Sequence, residues 1–214
     1  MTTTENRRWA LFGPVSIALW IAGVALINHN APATHATGGQ ILAWYKTDSD
    51  SIVMGGWLFI LGCLAFVTFA AALRVRLAEA AGQDGHLPGL ALAGAAMAGV
   101  MGMLTAAVDL VGGIDKNDID PATAATFHHS VDLFFVGTEL AAVLPIAAFA
   151  IVAWRTRVLP RWWAAFAGLV AIVLIAGPIG WIGLIFGVPL WTLGTSLFFL
   201  LGARERMRTA AAAT

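Results

Sequence analysis

Long, nearly continuous apolar runs separated by short polar segments dominate the pattern of this chain. The runs lack the alternation of a half-buried strand and are too uniform for a one-sided surface helix, so they suit segments that are apolar all round. Residues 9–28, 51–73, 87–111 and 127–154 form four such runs, each meeting the roughly 20 residues a helix needs to cross a bilayer. Residues 162–202 then carry no charged side chain at all. One helix of that length would be about 60 Å long, twice the hydrocarbon thickness, so it must fold back. The break falls in "AGPIGWIG", Ala176 to Gly183, because glycine and proline interrupt helices and supply turns. This gives a fifth span over 162–176 and a sixth over 182–201. The expectation is an all-α, single-domain protein over residues 1–214, an integral membrane bundle of six transmembrane helices.

Charge placement orients that bundle. Alternating the six spans puts the N-terminus, the Arg74–His86 loop, the Arg155–Arg161 loop and the C-terminal "RERMR" on one side. All ten arginines fall there, and only Lys46 and Lys116 fall on the other. The positive-inside rule makes the arginine side cytoplasmic, with both termini inside and the protein in the cytoplasmic membrane. An odd number of spans would separate the termini. Trp9, Trp154, Trp162 and Trp163 are then expected at the inner interface and Trp44 and Trp181 at the outer one. The first run follows Arg7 and Arg8 and exceeds the roughly 7–15 residues of a signal-peptide core, so it reads as a retained, anchored span.

Composition agrees: 59% of residues are hydrophobic and 11% charged, against about 25% charged in an ordinary soluble domain. The formal net charge is zero, so no basic surface points to nucleic acid; the partner implied is the lipid bilayer. The single cysteine, Cys63, excludes an intrachain disulfide and a cysteine-based zinc cluster.

The polar connections carry less. Between the first two spans, Gln40 to Tyr45 reads as an interfacial stretch with Ile41, Leu42 and Trp44 dipped into the membrane surface. The loop "GGIDKNDIDPATAAT" holds Asp115, Asp118 and Asp120 but lacks the glycine and terminal glutamate of an EF-hand loop, and reads as a solvated acidic loop. The third span has small-xxx-small pairs, Ala95/Gly99 and Ala98/Gly102. These let helix backbones approach closely, either inside the bundle or against a second copy or another membrane partner.

The outer loop leading into "ILAWYKTDSDSIVMGGWLFILG", the inner "AALRVRL" and the later "LPRWWAAFAGLV" resemble a family of actinobacterial multi-pass membrane proteins of unknown function. The resemblance spans most of the chain at the level of hydropathy and short turns. It implies a membrane bundle and no particular activity.

Chemistry concentrates in "FHHSVDLFFVGTEL", Phe127 to Leu140, where two histidines, an aspartate and a glutamate interrupt an otherwise apolar run. At about 100° per residue, His128, Asp132, Phe135 and Glu139 share one helix face. Ionisable groups at membrane depth cost at least about 2.5–3.5 kcal/mol each, so that stripe should face the bundle interior or water. Glu139 lies near the midplane, about 16 Å deeper than His128 along the helix, and Asp109 joins from the preceding span. One reading is a relay: Glu139 as the buried titrating group, with Asp132, Asp109 and His128 connecting it to outer water, in a protein that moves or senses a proton, cation or small amphipathic molecule. A second reading is a membrane-embedded metal or acid–base enzyme acting on a lipid-borne substrate. There His128, His129 and Asp132 are the candidate metal ligands, and His29 and His35 on the same side leave an outward metal or haem site open. In a third, the histidines cap a helix start, Asp132 bonds to a neighbouring span and Glu139 bonds to Thr138 or Thr105. An accessory subunit docking a partner stands behind these. Gly177, Pro178, Gly180 and Pro189 mark a candidate substrate-lining hinge.

Overall fold

The computed structural model describes residues 9–33, 35–82 and 85–212, and every element among them is helical. In chain order these are α1 (Phe12–Ile27), α2 (Gly38–Thr47), α3 (Ser49–Ala81), α4 (Leu87–Ile114), α5 (Pro121–Thr156) and α6 (Arg161–Ile175). A 3-10 turn at Gly177–Ile179, one α turn at Gly180–Ile182 and a π-helical turn at Gly183–Gly187 then lead into α7 (Val188–Ala212). Arg7 and Arg8 lie outside the described residues, as do the side chains of "RERMR".

Four helical segments are long and apolar enough to cross a membrane: Ser49–Ala81, Leu87–Ile114, Pro121–Thr156 and Gly177–Leu201. Phe12–Ile27 and Arg161–Ile175 are apolar but shorter. The helices run longer than the apolar runs alone imply. α3 continues through "RVR" to Ala81, and α5 starts at Pro121 because Pro suits a first helical position and Asp120 caps it, its Oδ1 accepting from the Thr123 N–H at 2.7 Å. Those N–H donors hold the Asp120 carboxyl below the usual carboxylate range. The helix start therefore absorbs the second half of the expected acidic loop, and His128 lies two turns inside α5 instead of capping it.

Glycines decide how the antiparallel helices meet. A Cβ on Gly23 of α1 would lie 2.8 Å from the Gly55 carbonyl and the Phe59 nitrogen of α3, so these two backbones touch as only small residues allow. On α4, Gly99 faces Val67 and Gly102 faces Cys63, both of α3. Gly94 makes room for Pro145 in the middle of α5 and lies beside the Ala141 carbonyl, which Pro145 has no N–H to engage. Ala95 and Ala98 are buried in the same contacts. The small-xxx-small pairs of the third span thus pack inside the bundle.

The core is densest toward the arginine-bearing end. There Trp191 of α7 meets Phe69 of α3 and Phe149 of α5 edge-on, at 6.3 and 5.4 Å between ring centres. Gly13 of α1 closes the ring against Ser196. α6 and α7 form a tight hairpin, Gly183 on Leu174, Gly187 on Val170 and Gly194 on Trp163. Trp163 is accordingly buried, its Nε1 donating to Thr195 Oγ1 at 3.0 Å, and does not mark an interface; Trp9, Trp154 and Trp162 are exposed.

A second, smaller core lies at the other end, formed by Ile41, Trp44 and Tyr45 of α2 with Ile52 and Ala124. Here the interfacial reading is corrected. α2 turns its apolar face onto the bundle, with Ile41 and Tyr45 fully buried, because Gly38 lets its backbone settle directly on Pro121. A capping box, Thr37 with Gln40, starts the helix.

Candidate functional site

α2 roofs the end of the bundle and brings Tyr45 onto α4. The Tyr45 hydroxyl donates to Asp109 Oδ1 at 2.7 Å, and His128 Nδ1 of α5 lies 3.2 Å from the same oxygen. Asp109 is 4% exposed and Tyr45 0%. An ionised carboxylate only accepts, so both neighbours must donate, which puts the His128 proton on Nδ1. Burial, and then the adjacent Asp109 carboxylate, push the Tyr45 phenol well above its ordinary value, so it remains a donor. Trp44 stands edge-on to His128 at 5.4 Å and sends its Nε1 to the His29 carbonyl at 3.2 Å. Three helices therefore meet on one buried oxygen.

Asp132 and Glu139 take different positions on α5. Asp132 is exposed, and it is Asp109 and His128 that pair. Glu139 is 7% exposed and rests against the start of the last helical segment: a Cβ on Gly180 would meet its Oε2 at 2.9 Å, beside the Leu174 carbonyl. No hydrogen bond among the described residues reaches it. Thr105 and Thr138, its expected partners, donate instead to carbonyls of their own helices, Met101 and Phe134, both at 2.9 Å.

The contact with Gly180 fixes where the α6–α7 hairpin turns. α6 has 15 residues, about 22 Å of helix against about 30 Å of hydrocarbon, and its end meets the middle of α5. The turn residues Ile175 to Ile179 are all exposed. Between α2 and this turn α4 packs on α5, with Gly137 on Met101, but among the described residues one face of α5 stays open: Leu133 is 71% exposed, and Asp132 and Val136 are exposed beside it. α1 leaves this stretch open, packing along α3 through Gly23 and Trp20. The exposed face of α5 here carries Asp132, Leu133 and Val136, while Glu139 lies on a neighbouring face against Gly180. Of the hinge candidates, Gly180 is the one that touches a site residue. Gly177 supplies the positive φ of the turn (60°), Pro178 lies in the 3-10 turn, and Pro189 falls inside α7 beyond the π turn.

The metal reading finds no cluster. His128 and His129 have ring centres 6.1 Å apart, and among the described residues no three His, Cys, Asp or Glu side chains converge where a metal could sit. His29 belongs instead to a surface network in which Asn30 Nδ2 donates to Asp48 Oδ1 at 3.1 Å, with His29 Nδ1 3.4 Å from that oxygen. His35 is exposed.

Tyr45 is the member of the Asp109 cluster that hydropathy missed. It is the one tyrosine of the chain, and its place on an apolar helix at the same end as Asp109 was the available signal. Ser16 of α1 and Thr192, Thr195 and Ser196 of α7 are buried polar residues that were equally silent. No protein-family model, curated protein or solved structure matches the chain.

Proposed function

We propose that this chain is a six-span protein of the cytoplasmic membrane, both termini inside, that moves or senses a proton, cation or small amphipathic molecule through an outward-opening site on α4 and α5. The observation that carries this reading is the shared Asp109 oxygen, on which a lid helix (Tyr45), α4 and the stripe-bearing α5 (His128) depend together. Protonating or displacing His128 changes the charge balance on Asp109 and so the hold on α2, which is how a titratable group becomes a signal. Glu139, deeper along α5 and set against Gly180, is the acid that cargo or protons would reach. The arginine asymmetry supports the orientation; four helical segments are long and apolar enough to cross, and six spans require the shorter apolar helices Phe12–Ile27 and Arg161–Ile175 to cross as well.

The test is infrared difference spectroscopy of the protein in nanodiscs from about pH 4 to about pH 9, around the carboxyl and imidazole reference values. Carboxyl bands assigned with Asp109→Asn and Glu139→Gln should respond to pH, and His128→Gln should alter the Asp109 response. Bands silent across that range would overturn the proton reading. A second reading, an acid–base enzyme acting on a lipid, draws on one observation: Asp109 engages His128 Nδ1, leaving Nε2 free of hydrogen bonds among the described residues, the arrangement a general base needs. Turnover of a reconstituted lipid, lost in His128→Gln, would favour it.

A further inference from the structure

We propose that the groove between the start of α3 and the end of α4 holds one phospholipid with an ethanolamine headgroup, its phosphate on Lys116 and Ser49 and its ammonium on Asp50. The site is separate from the Asp109 cluster and requires only that α3 and α4, two of the four long apolar helices, cross the membrane.

The groove has a volume of about 410 Å³ and is charged at one end only. At the end of the bundle that carries α2, Asp50 in the first turn of α3 and Lys116, just past the end of α4, both line it. The Lys116 ammonium donates to the Oγ of Ser49, a residue only 7% exposed, which pins the amine at the mouth of the groove. An ammonium has three protons to give, and this bond uses one. The ion pairs among the described residues join His29 to Asp48, Arg76 to Glu79 and His128 to Asp109, so none of them takes the others. Lys116 and Asp50 therefore face one groove with opposite charges and without pairing with each other. That arrangement is complementary to a zwitterion.

Below that mouth the walls are apolar. Asp50, Val53, Met54 and Trp57 follow at i, i+3, i+4 and i+7, so one face of α3 leads from the charge to the indole over about 10 Å. Ile114 of α4 lines the groove too, and Gly113 keeps the two helices close, since a Cβ there would meet Ile52 Cγ2 at 3.2 Å and Val53 Cγ2 at 3.4 Å. Met54, Trp57 and Ile114 are all exposed, so no described part of the protein covers this strip. A charged mouth at the helix ends above an apolar strip follows the order of a phospholipid, headgroup at the interface and acyl chain beside the hydrocarbon. A soluble phosphate compound would leave the strip bare. A purely anionic headgroup would find one lysine against Asp50 in the groove and Asp115 and Asp118 close by in sequence. A choline headgroup has no N–H to give Asp50, and Trp57, whose ring could attract it, lies too deep. Ethanolamine brings donors to the carboxylate and its phosphate brings acceptors to the ammonium, both through charge-assisted bonds.

Native mass spectrometry tests this on the full chain in detergent, given an equimolar mixture of phosphatidylethanolamine, phosphatidylglycerol and phosphatidylcholine with the same acyl chains. One ethanolamine lipid per chain should be retained, several-fold over the other two. Lys116→Gln should cut its retention about tenfold, the loss of one bond to a charged group. Asp50→Asn should keep a lipid adduct but remove the preference over phosphatidylcholine, a change of selectivity that misfolding would not produce. Lys46→Gln, at the other lysine of this end and outside the groove, should change nothing. Equal retention of the three lipids, a preference for phosphatidylglycerol, or an adduct indifferent to both Lys116→Gln and Asp50→Asn overturns the proposal. Glycerophosphoethanolamine, the headgroup without its chains, should displace the lipid only at far higher concentration. Displacement at equal concentration would point to a soluble phosphate compound and overturn the lipid assignment.

Discussion

Asp109 is the residue on which the α2 end depends. Its carboxylate is buried and is tolerable there because Tyr45 and His128 both donate to it. Removing one donor leaves the remaining charge under-solvated, and that penalty, about 1–3 kcal/mol, exceeds the net worth of the bond itself. Tyr45→Phe keeps the ring that packs on Trp44 and deletes only the hydroxyl. We expect it to lower thermal stability by that amount, and we expect Tyr45→Phe combined with Asp109→Asn to cost less than the two single changes added together, since the amide no longer brings a charge to bury. Additive losses in that cycle would mean the hydroxyl acts on something other than Asp109. The pairing with His128 was only half visible beforehand. The helical stripe correctly set His128, Asp132 and Glu139 on one face, but which residue of α4 or α2 completes the set depends on helix register, and apolar runs without periodic marks do not encode register.

At the scale of elements, the hydropathic runs located every long helix, because burial on all sides needs nothing more than continuous apolar character. They misjudged the places where backbone detail decides. α2 was expected to dip into lipid and instead packs on the protein, for a reason held in one glycine. A Cβ on Gly38 would lie 2.1 Å from the Pro121 carbonyl oxygen, a backbone atom that cannot rotate away, whereas a Cβ on the adjacent Gly39 meets nothing. Gly38→Ala should therefore lift α2 from α5 at a cost of about 1–3 kcal/mol, the usual range for overpacking. The readout is tryptophan fluorescence: the emission should shift to the red and be quenched more readily by iodide as Trp44 leaves its pocket beside His128. Gly39→Ala supplies the comparison and should change neither property. Equal effects from both substitutions would show that helix propensity, not the approach to Pro121, governs α2.

For the whole molecule, the decisive feature is the mismatch between a long α5 and a short hairpin. α5 passes well beyond the point where Gly180 meets Glu139, so the turn between α6 and α7 lies roughly 8 Å short of the far side of a 30 Å core if α6 starts at the inner boundary. Irregular backbone exposed to hydrocarbon leaves amide groups without partners, and such segments persist at membrane depth only when protein covers them or water reaches them. Protein does not cover Ile175 to Ile179. In the proposed orientation, water from the outer side is what would supply those hydrogen bonds, and the turn is then expected to be wet. In a Cys63→Ser background, which removes the buried thiol, a cysteine replacing Ile179 should react with a membrane-impermeant maleimide applied to the outer face. One replacing Ile172, exposed on α6 below the turn, should not. Labelling of Ile179→Cys only from the cytoplasmic face would invert the orientation drawn from the arginines. If neither reagent side labels it, the turn is dry, and Glu139 has no route to outer water along it.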